Sequence, residues 1–265
     1  MRNLLLVALL FAGCAQRVAE TRAAPAPAPA PATPAATARL CADGWEPIDE
    51  LGCLFVPSGV GKDTPLVLYL HGMYPPDAPQ QAHAQERRLA AQAEGLGVAV
   101  LAPRGLPGLC DWSPEFSHWL CWPTAQRQLP RVQEILDRLA PQLRHTSARL
   151  GRSSMSPVVV GYSNGGFFAT VIASHTRLPV SGYAILHGGG VEPMLFPEER
   201  MAPVLLVAAE DDAAQAPRMK ALHARLDEAG WPHEFGIRPG GHALSDEDLV
   251  RALTFAGRLK QADAR

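Results

Sequence analysis

Residues 161–165 read G-Y-S-N-G, and the serine of this G-x-S-x-G pattern offers a hydroxyl that could act as a nucleophile. A serine hydroxyl is a weak nucleophile at neutral pH unless a neighbouring base removes its proton. Ser163 is followed along the chain by Asp212 and then by His242. We predict that His242 accepts the proton and later delivers it to the leaving group, while the carboxylate of Asp212 or of its neighbour Asp211 holds the imidazole in the required tautomer.

The residues around Ser163 predict a strand, a sharp turn and a helix. The apolar run 157–160 precedes the serine, and the run 167–173 follows it. Such a turn forces the serine backbone into a strained conformation. Gly161 and Gly165 are expected where strand and helix approach too closely for side chains. The alternative interpretation is an ordinary turn serine, with His242 as a surface-loop histidine.

Strand and helix patterns alternate from about residue 40 onward. This alternation predicts a mostly parallel, doubly wound sheet flanked by helices, with its chemistry at the carboxyl ends of the strands. Ser245 and Asp248 are expected to cap the last helix. The predicted strands are residues 52–56, 65–70, 97–102, 157–160, 182–186, 203–208 and 234–237, and the predicted helices are 80–94, 126–139, 217–229 and 245–260.

Together, four segments resemble the α/β-hydrolase superfamily over about residues 50–260. They are L-H-G at 70–72, G-Y-S-N-G-G at 161–166, the turn at 211–212 and G-H at 241–242. The order of serine, acid and histidine is also that of the superfamily. The S-N-G-G segment and the region 110–122 further resemble polyhydroxybutyrate-depolymerase-like and feruloyl-esterase-like enzymes, which implies an ester substrate. Dienelactone hydrolases share the fold but usually carry Cys where this chain has Ser163.

The resemblance also assigns roles to neighbouring residues. The turn A-E-D-D at 209–212 is similar to the G-x-x-D turn that often holds the acid, which favours Asp212. Ala209 stands where Gly is usual, so Asp211 remains the alternative acid. The backbone N–H groups of Met73 and Asn164 are expected to form the oxyanion hole.

The N-terminus has the features of an export signal. Arg2 is followed by an apolar run at 4–11 and by F-A-G-C at 11–14, which resembles a bacterial lipobox with Phe11 in place of the usual Leu. We therefore expect a lipoprotein signal peptide at 1–13, a lipidated Cys14 that begins a Pro/Ala-rich linker at 14–40, and a catalytic domain at 41–265. An ordinary signal peptide is the alternative.

Four further cysteines, in an exported chain, predict two disulfides. Pairing of near neighbours, Cys41 with Cys53 and Cys110 with Cys121, is preferred among three connectivities. Metal binding is the rival interpretation, but the spacings contain no C-x-x-C pair. Three tryptophans lie within residues 112–122, and they either present aromatic surface beside the active site or fill a small core beneath the loop.

Composition limits the range of partners. A hydrophobic content of 47% in 265 residues is enough for one sizeable domain, and a net charge of −2 gives no reason to expect nucleic acid. The histidines outside the motifs show no metal-ligand spacing, so we expect no metal and no cofactor. The chain is expected to be a monomer.

The sequence thus predicts an exported serine hydrolase that cleaves small-molecule or polymeric carboxylic esters through an acyl-enzyme. Its expected location is the bacterial cell envelope, on the outer membrane or facing the periplasm, where a lipid anchor holds it. Two alternatives remain. The first is a peptidase or acyltransferase on the same fold, because one fold serves many chemistries. The second is a non-catalytic surface lipoprotein that uses the cleft for binding.

Overall fold

The computed structural model describes residues 40–176, 178–190 and 201–263. The predicted signal peptide, Cys14 and nearly all of the linker lie outside these ranges and stay predictions. Within the ranges, no helix combines the length and the apolar composition that a bilayer span requires.

A single mixed sheet organises the described residues. Its strand order is β1-β2-β4-β3-β5-β6-β7-β8; β2 pairs antiparallel with both β1 and β4, and the other neighbours pair parallel. This confirms the mostly parallel, helix-flanked sheet that the sequence predicts. The strands are β1 (Glu46–Asp49), β2 (Gly52–Phe55), β3 (Leu66–Leu70), β4 (Ala99–Pro103), β5 (Val158–Tyr162), β6 (Gly182–Leu186), β7 (Val204–Ala209) and β8 (His233–Arg238).

Five helices cover the two faces of the sheet. Buried residues of two of them, α1 and α5, form one apolar core with one sheet face, and those of α2, α3 and α4 form a second core with the other face. Because the strands are covered on both sides, β3 is buried at every position. The helices are α1 (Pro79–Leu96), α2 (Pro130–Arg149), α3 (Asn164–His175), α4 (Ala216–Glu228) and α5 (Asp246–Asp263).

Strand β1 has no counterpart among the predicted elements. Its four residues, E-P-I-D, are exposed or half-buried and include a proline and two acids. This composition carries no apolar period, but it suits the edge of a sheet, where proline and charge discourage pairing with another chain.

The predicted helix at 126–139 is wrong in its bounds. Residues 126–128 form a short 3₁₀ turn, and α2 continues through Pro141 to Arg149. An interior proline removes one helical hydrogen bond and usually ends a helix. Here the turn beyond it is anchored, because Gln142 lies buried and its side-chain amide donates to Asp49 at 2.9 Å.

Both predicted disulfide pairs are present in the structure. Cys41 bonds to Cys53 of β2, and Cys110 bonds to Cys121. The first of them joins the segment at 40–45 to the sheet.

A buried ion pair holds the same segment in place. Glu86 of α1 and Arg104 are both almost fully buried and contact each other directly. The carboxylate of Glu86 also accepts the backbone N–H of Ala42 at 2.7 Å, and Arg104 donates to the carbonyl of Leu40 at 3.1 Å. Each charge thus has several partners, which is what a buried charge requires.

Replacing Glu86 by Gln should therefore lower the free energy of unfolding by about 3–5 kcal/mol, because it leaves Arg104 buried without its counter-charge. Urea denaturation at pH 7 measures the change. Glu134→Gln is the matched control, since Glu134 pairs with Arg131 at the surface and its replacement should change the stability far less. Equal effects of the two substitutions would show that the buried pair is not the anchor.

Candidate active site

Ser163 occupies the turn between β5 and α3. Its backbone has φ 52° and ψ −117°, a conformation that costs a non-glycine residue roughly 1–3 kcal/mol. The backbone N–H of Ser163 donates to the carbonyl of Leu186 at 2.9 Å, which holds the turn against β6. The predicted strand, sharp turn and helix are therefore found here, with the serine at the tip.

Glycine is required on both sides of the serine. A methyl group added to Gly161 would collide with the carbonyl of Gly165, and one added to Gly165 would collide with the carbonyl of Leu70. The atoms that would collide belong to the backbone and not to flexible side chains, so a rotamer change cannot relieve the conflict. This close approach brings α3 against β3 and β5.

The three residues predicted to act together are joined by hydrogen bonds. Ser163 Oγ lies 2.8 Å from His242 Nε2, and His242 Nδ1 lies 2.6 Å from Asp212 Oδ2. The carboxylate accepts the Nδ1 proton, so Nε2 carries the lone pair that faces the serine hydroxyl. This arrangement can remove a proton from Ser163.

The ambiguity between the two aspartates has a structural answer. Asp212 is buried, contacts His242 and also accepts the backbone N–H of Gln215 at 3.1 Å. Asp211 is exposed, and its backbone N–H donates to Gly240 at 3.0 Å. Geometry therefore brings Asp212, and not Asp211, to the histidine.

The predicted oxyanion loop passes beside the serine. A methyl group added to Gly72 would lie 3.1 Å from the ring of Tyr162 and 3.4 Å from Ser163 Cβ. Met73 and Asn164 both line the cleft that contains Ser163 and His242. The side chain of Asn164 is engaged elsewhere, as its Oδ1 accepts the N–H of Trp122 at 2.8 Å. The role of the two backbone N–H groups stays a prediction.

His71 supports this loop from beneath. Its Nδ1–H donates to the carbonyl of Gly72, and its Nε2 accepts the N–H of Gly105 at 2.8 Å. Burial lowers the pKa of His71 to about 3, so the ring stays neutral at physiological pH. The indole N–H of Trp122 donates to the His71 carbonyl at 2.9 Å.

Trp122 and Trp112 of the 110–122 loop each fit one of the two interpretations that the sequence left open. Trp122 is fully buried and stacks on Phe168 of α3, with ring centroids 5.4 Å apart. Trp112 is 51% exposed and lines the cleft. One ring therefore fills the core, while the other presents aromatic surface beside Ser163.

A cleft of about 700 Å³ opens at the serine. Its wall combines apolar and polar side chains, and the guanidinium of Arg218 lies 5.8 Å above the ring of Phe167. The lining includes Met73, Trp112, Ser163, Phe167, Arg218 and His242.

Sequence reasoning missed a buried network behind the histidine. His187 follows β6, is fully buried and lies 2.9 Å from Asp248 of α5. Arg238 donates to the same carboxylate at 2.9 Å and also to the carbonyls of Pro239 and Ala243, which flank His242. The network therefore braces the loop that carries His242.

One part of this network does have a sequence signal. The predicted cap is present: Ser245 donates its backbone N–H and its hydroxyl to Asp248, each at 2.8 Å. Burial alone would raise the pKa of Asp248, but hydrogen bonds from His187, Arg238 and Ser245 outweigh it and hold the pKa well below its ordinary value.

Comparisons with known proteins agree with this architecture. A profile of the Dienelactone hydrolase family matches residues 123–250, a little under half of the chain, and this part contains Ser163, Asp212 and His242. Among curated proteins, no sequence matches the chain.

Solved structures with the same fold include several esterases. A Bacillus cereus carboxylesterase is 19% identical, with a TM-score of 0.55, and the match covers 78% of this chain and 93% of that one. Arabidopsis thaliana SOBER1 is 20% identical, with a TM-score of 0.55 and coverage of 74% and 99%. A Mesorhizobium loti carboxylesterase is 17% identical, with a TM-score of 0.54 and coverage of 80% and 98%. At these identities the likeness concerns the fold.

The protein therefore has the α/β-hydrolase fold. The partial family match further supports a hydrolase. The profile matches although Ser163 stands where dienelactone hydrolases usually carry Cys. The looser resemblance to polyhydroxybutyrate-depolymerase-like enzymes stays a prediction.

Replacing Asp248 by Asn should lower the free energy of unfolding at pH 7 by about 3–5 kcal/mol, because Arg238 would lose its buried counter-charge and His187 its carboxylate partner. The depressed pKa means that the carboxylate stabilises the fold above its unfolded pKa of about 3.9 and loses this effect as pH falls below it. Urea denaturation between pH 7 and pH 3 should therefore show that the free energy of unfolding falls less steeply with pH in the variant than in the parent.

Asp246→Asn provides the control two residues away. Asp246 is exposed and pairs with Arg88 at 2.7 Å, so its loss should change stability by less than about 1 kcal/mol. An Asp248→Asn protein as stable as the control, with an unchanged acid profile, would contradict the bracing role.

Proposed function

We propose that the protein is a serine hydrolase that cleaves carboxylic esters through an acyl-enzyme on Ser163. The observation that carries this proposal is the continuous chain of hydrogen bonds from Ser163 through His242 to Asp212, with the serine open to a cleft. The partial family match and the esterase neighbours add support.

The geometry suits acyl transfer. As Ser163 Oγ attacks the ester carbonyl carbon, its proton passes to His242 Nε2, and Asp212 stabilises the imidazolium. The tetrahedral intermediate carries an alkoxide, to which the N–H groups of Met73 and Asn164 donate. Loss of one such donor typically costs about 10²–10³ in kcat.

Collapse of the intermediate breaks the bond to the alcohol. His242 returns the proton to the departing alkoxide, and Ser163 remains acylated. A water molecule then gives its proton to His242 and attacks the acyl carbon, and the same steps release the acid and restore the serine.

The cleft favours a substrate with an apolar or aromatic group next to the ester. Trp112, Phe167 and Met73 supply apolar surface near the serine, and a volume of about 700 Å³ suits a small organic molecule. Arg218 and the glutamines of the wall provide polar contacts for the remainder of the substrate.

Export and lipid anchoring form part of the same proposal. The lipobox-like sequence ending at Cys14 supports it, as does the presence of two disulfides, which persist in oxidising compartments. The proposed location is the bacterial cell envelope.

Replacing Ser163 by Ala should abolish hydrolysis of p-nitrophenyl esters, because the attacking oxygen is lost while the fold is kept. In steady-state assays the parent protein should turn over p-nitrophenyl acetate in preference to a matched p-nitroanilide. The parent and the Ser163→Ala variant should have the same melting temperature. Undiminished activity of the variant would refute the role of Ser163. A folded parent that neither turns over the ester nor reacts with a fluorophosphonate would favour a binding protein.

The acid is tested by a matched pair of substitutions. Asp212→Asn should lower kcat by roughly 10⁴, because the imidazole loses its oriented tautomer. Asp211→Asn leaves the hydrogen bond between Asp212 and His242 in place and should leave kcat nearly unchanged. Kinetics that reverse this order would assign the acid to Asp211 in solution.

A further inference from the structure

A cluster of two imidazoles and one carboxylate lies on α4 and at the start of β8. The ligand atoms of His223, Asp227 and His233 are all within 4.8 Å of one another. His233 Nε2 lies 2.7 Å from His223 Nδ1 and 3.6 Å from Asp227 Oδ1. The sequence showed no metal-ligand pattern for these residues. His223 and Asp227 are four residues apart on α4, and only the fold brings His233 beside them.

We propose that His223, Asp227 and His233 bind a divalent first-row metal ion, Zn²⁺ in particular, that joins the end of α4 to the start of β8. Imidazole nitrogen and carboxylate oxygen are ligands that zinc prefers. Two ligand atoms on one tetrahedral zinc ion lie about 3.3 Å apart, and the observed separations of 2.7 and 3.6 Å fall on either side of this value.

The surroundings orient His233 as a metal ligand. Its Nδ1–H donates to the carbonyl of Trp231 at 2.8 Å, so Nε2 carries a lone pair and faces the cluster. The side chain is only 7% exposed, which restricts it to this orientation. A backbone carbonyl on the second nitrogen is the usual partner of a zinc-bound histidine.

His223 can meet the ion by a change of tautomer and a small outward shift from His233. Without metal, its Nδ1–H donates to His233 Nε2. Binding through Nδ1 requires that the proton sit on Nε2 instead, where the second carboxylate oxygen of Asp227 lies 3.6 Å away. The ring stacks on Phe235, with centroids 4.6 Å apart, which fixes its plane. Asp227 is 62% exposed, so water can complete the coordination.

The cluster is separate from the candidate active site. β8 begins at His233 and ends at Arg238, and its length of roughly 17 Å lies between the cluster and the loop of His242. The bound ion would therefore stabilise the edge of the sheet rather than take part in hydrolysis. The proposal stands whether or not the chain is an esterase.

Calorimetric titration of the metal-stripped full chain with Zn²⁺ tests the site. Every protein carries Cys14→Ser, because Cys14 is the one cysteine outside the two disulfides. The expected stoichiometry is one ion per chain. Zinc at 100 times its Kd should raise Tm by roughly 5–10 °C.

Variants decide where the ion binds. His223→Ala and Asp227→Ala should each weaken binding by more than the roughly 10- to 100-fold that loss of an outer-shell partner costs. His145→Gln is the control, because His145 is exposed on α2 beside Glu46 and should bind zinc like the parent. Asp227→Ala removes an exposed side chain, so it decides the matter even if the His223 variant fails to fold. Absence of one-to-one binding, or equal binding by Asp227→Ala and the parent, would overturn the proposal.

Discussion

The backbone of Ser163 stays in a disfavoured conformation because neighbouring backbone surrounds it on several sides. Side chains at Gly161, Gly165 and Gly166 would collide with the carbonyls of Gly165, Leu70 and Gly188 respectively, because α3, β3 and the segment after β6 all approach the turn closely. These contacts offset the local cost of a positive φ, and they leave the hydroxyl little freedom to move. The predicted oxyanion loop, His242 and Asp212 are all arranged around this turn.

The histidine side of the site has its own support. His242 lies on a loop without regular structure, and such a loop needs contacts to hold a side chain in place. The carbonyls on both sides of His242 accept from Arg238, whose charge is balanced by the buried Asp248. The cap of α5 and the position of the His242 loop therefore depend on the same carboxylate.

Patterns that are local in the sequence predicted much of this molecule. The turn at Ser163, the parallel sheet and the two short-range disulfides follow from neighbouring residues and from the order of the elements. The elements and contacts that the sequence did not predict lack a local pattern or join distant segments. β1 lacks an apolar period, the last turns of α2 depend on Gln142 meeting Asp49 across 93 residues, and His187 meets Asp248 only in the folded chain. The choice between Asp211 and Asp212 needed the direction of two adjacent side chains, which spacing does not contain.

β8 lies at the edge of the sheet and is paired with β7 over six residues, with Arg238 opposite Ala209. Side chains alternate between the two faces of a strand, so a slip of one residue in this pairing would turn Arg238 away from the loop of His242. The same slip would withdraw His233 from α4. Strand register at one edge of the sheet thus sets both the position of the His242 loop and the assembly of a distant polar cluster.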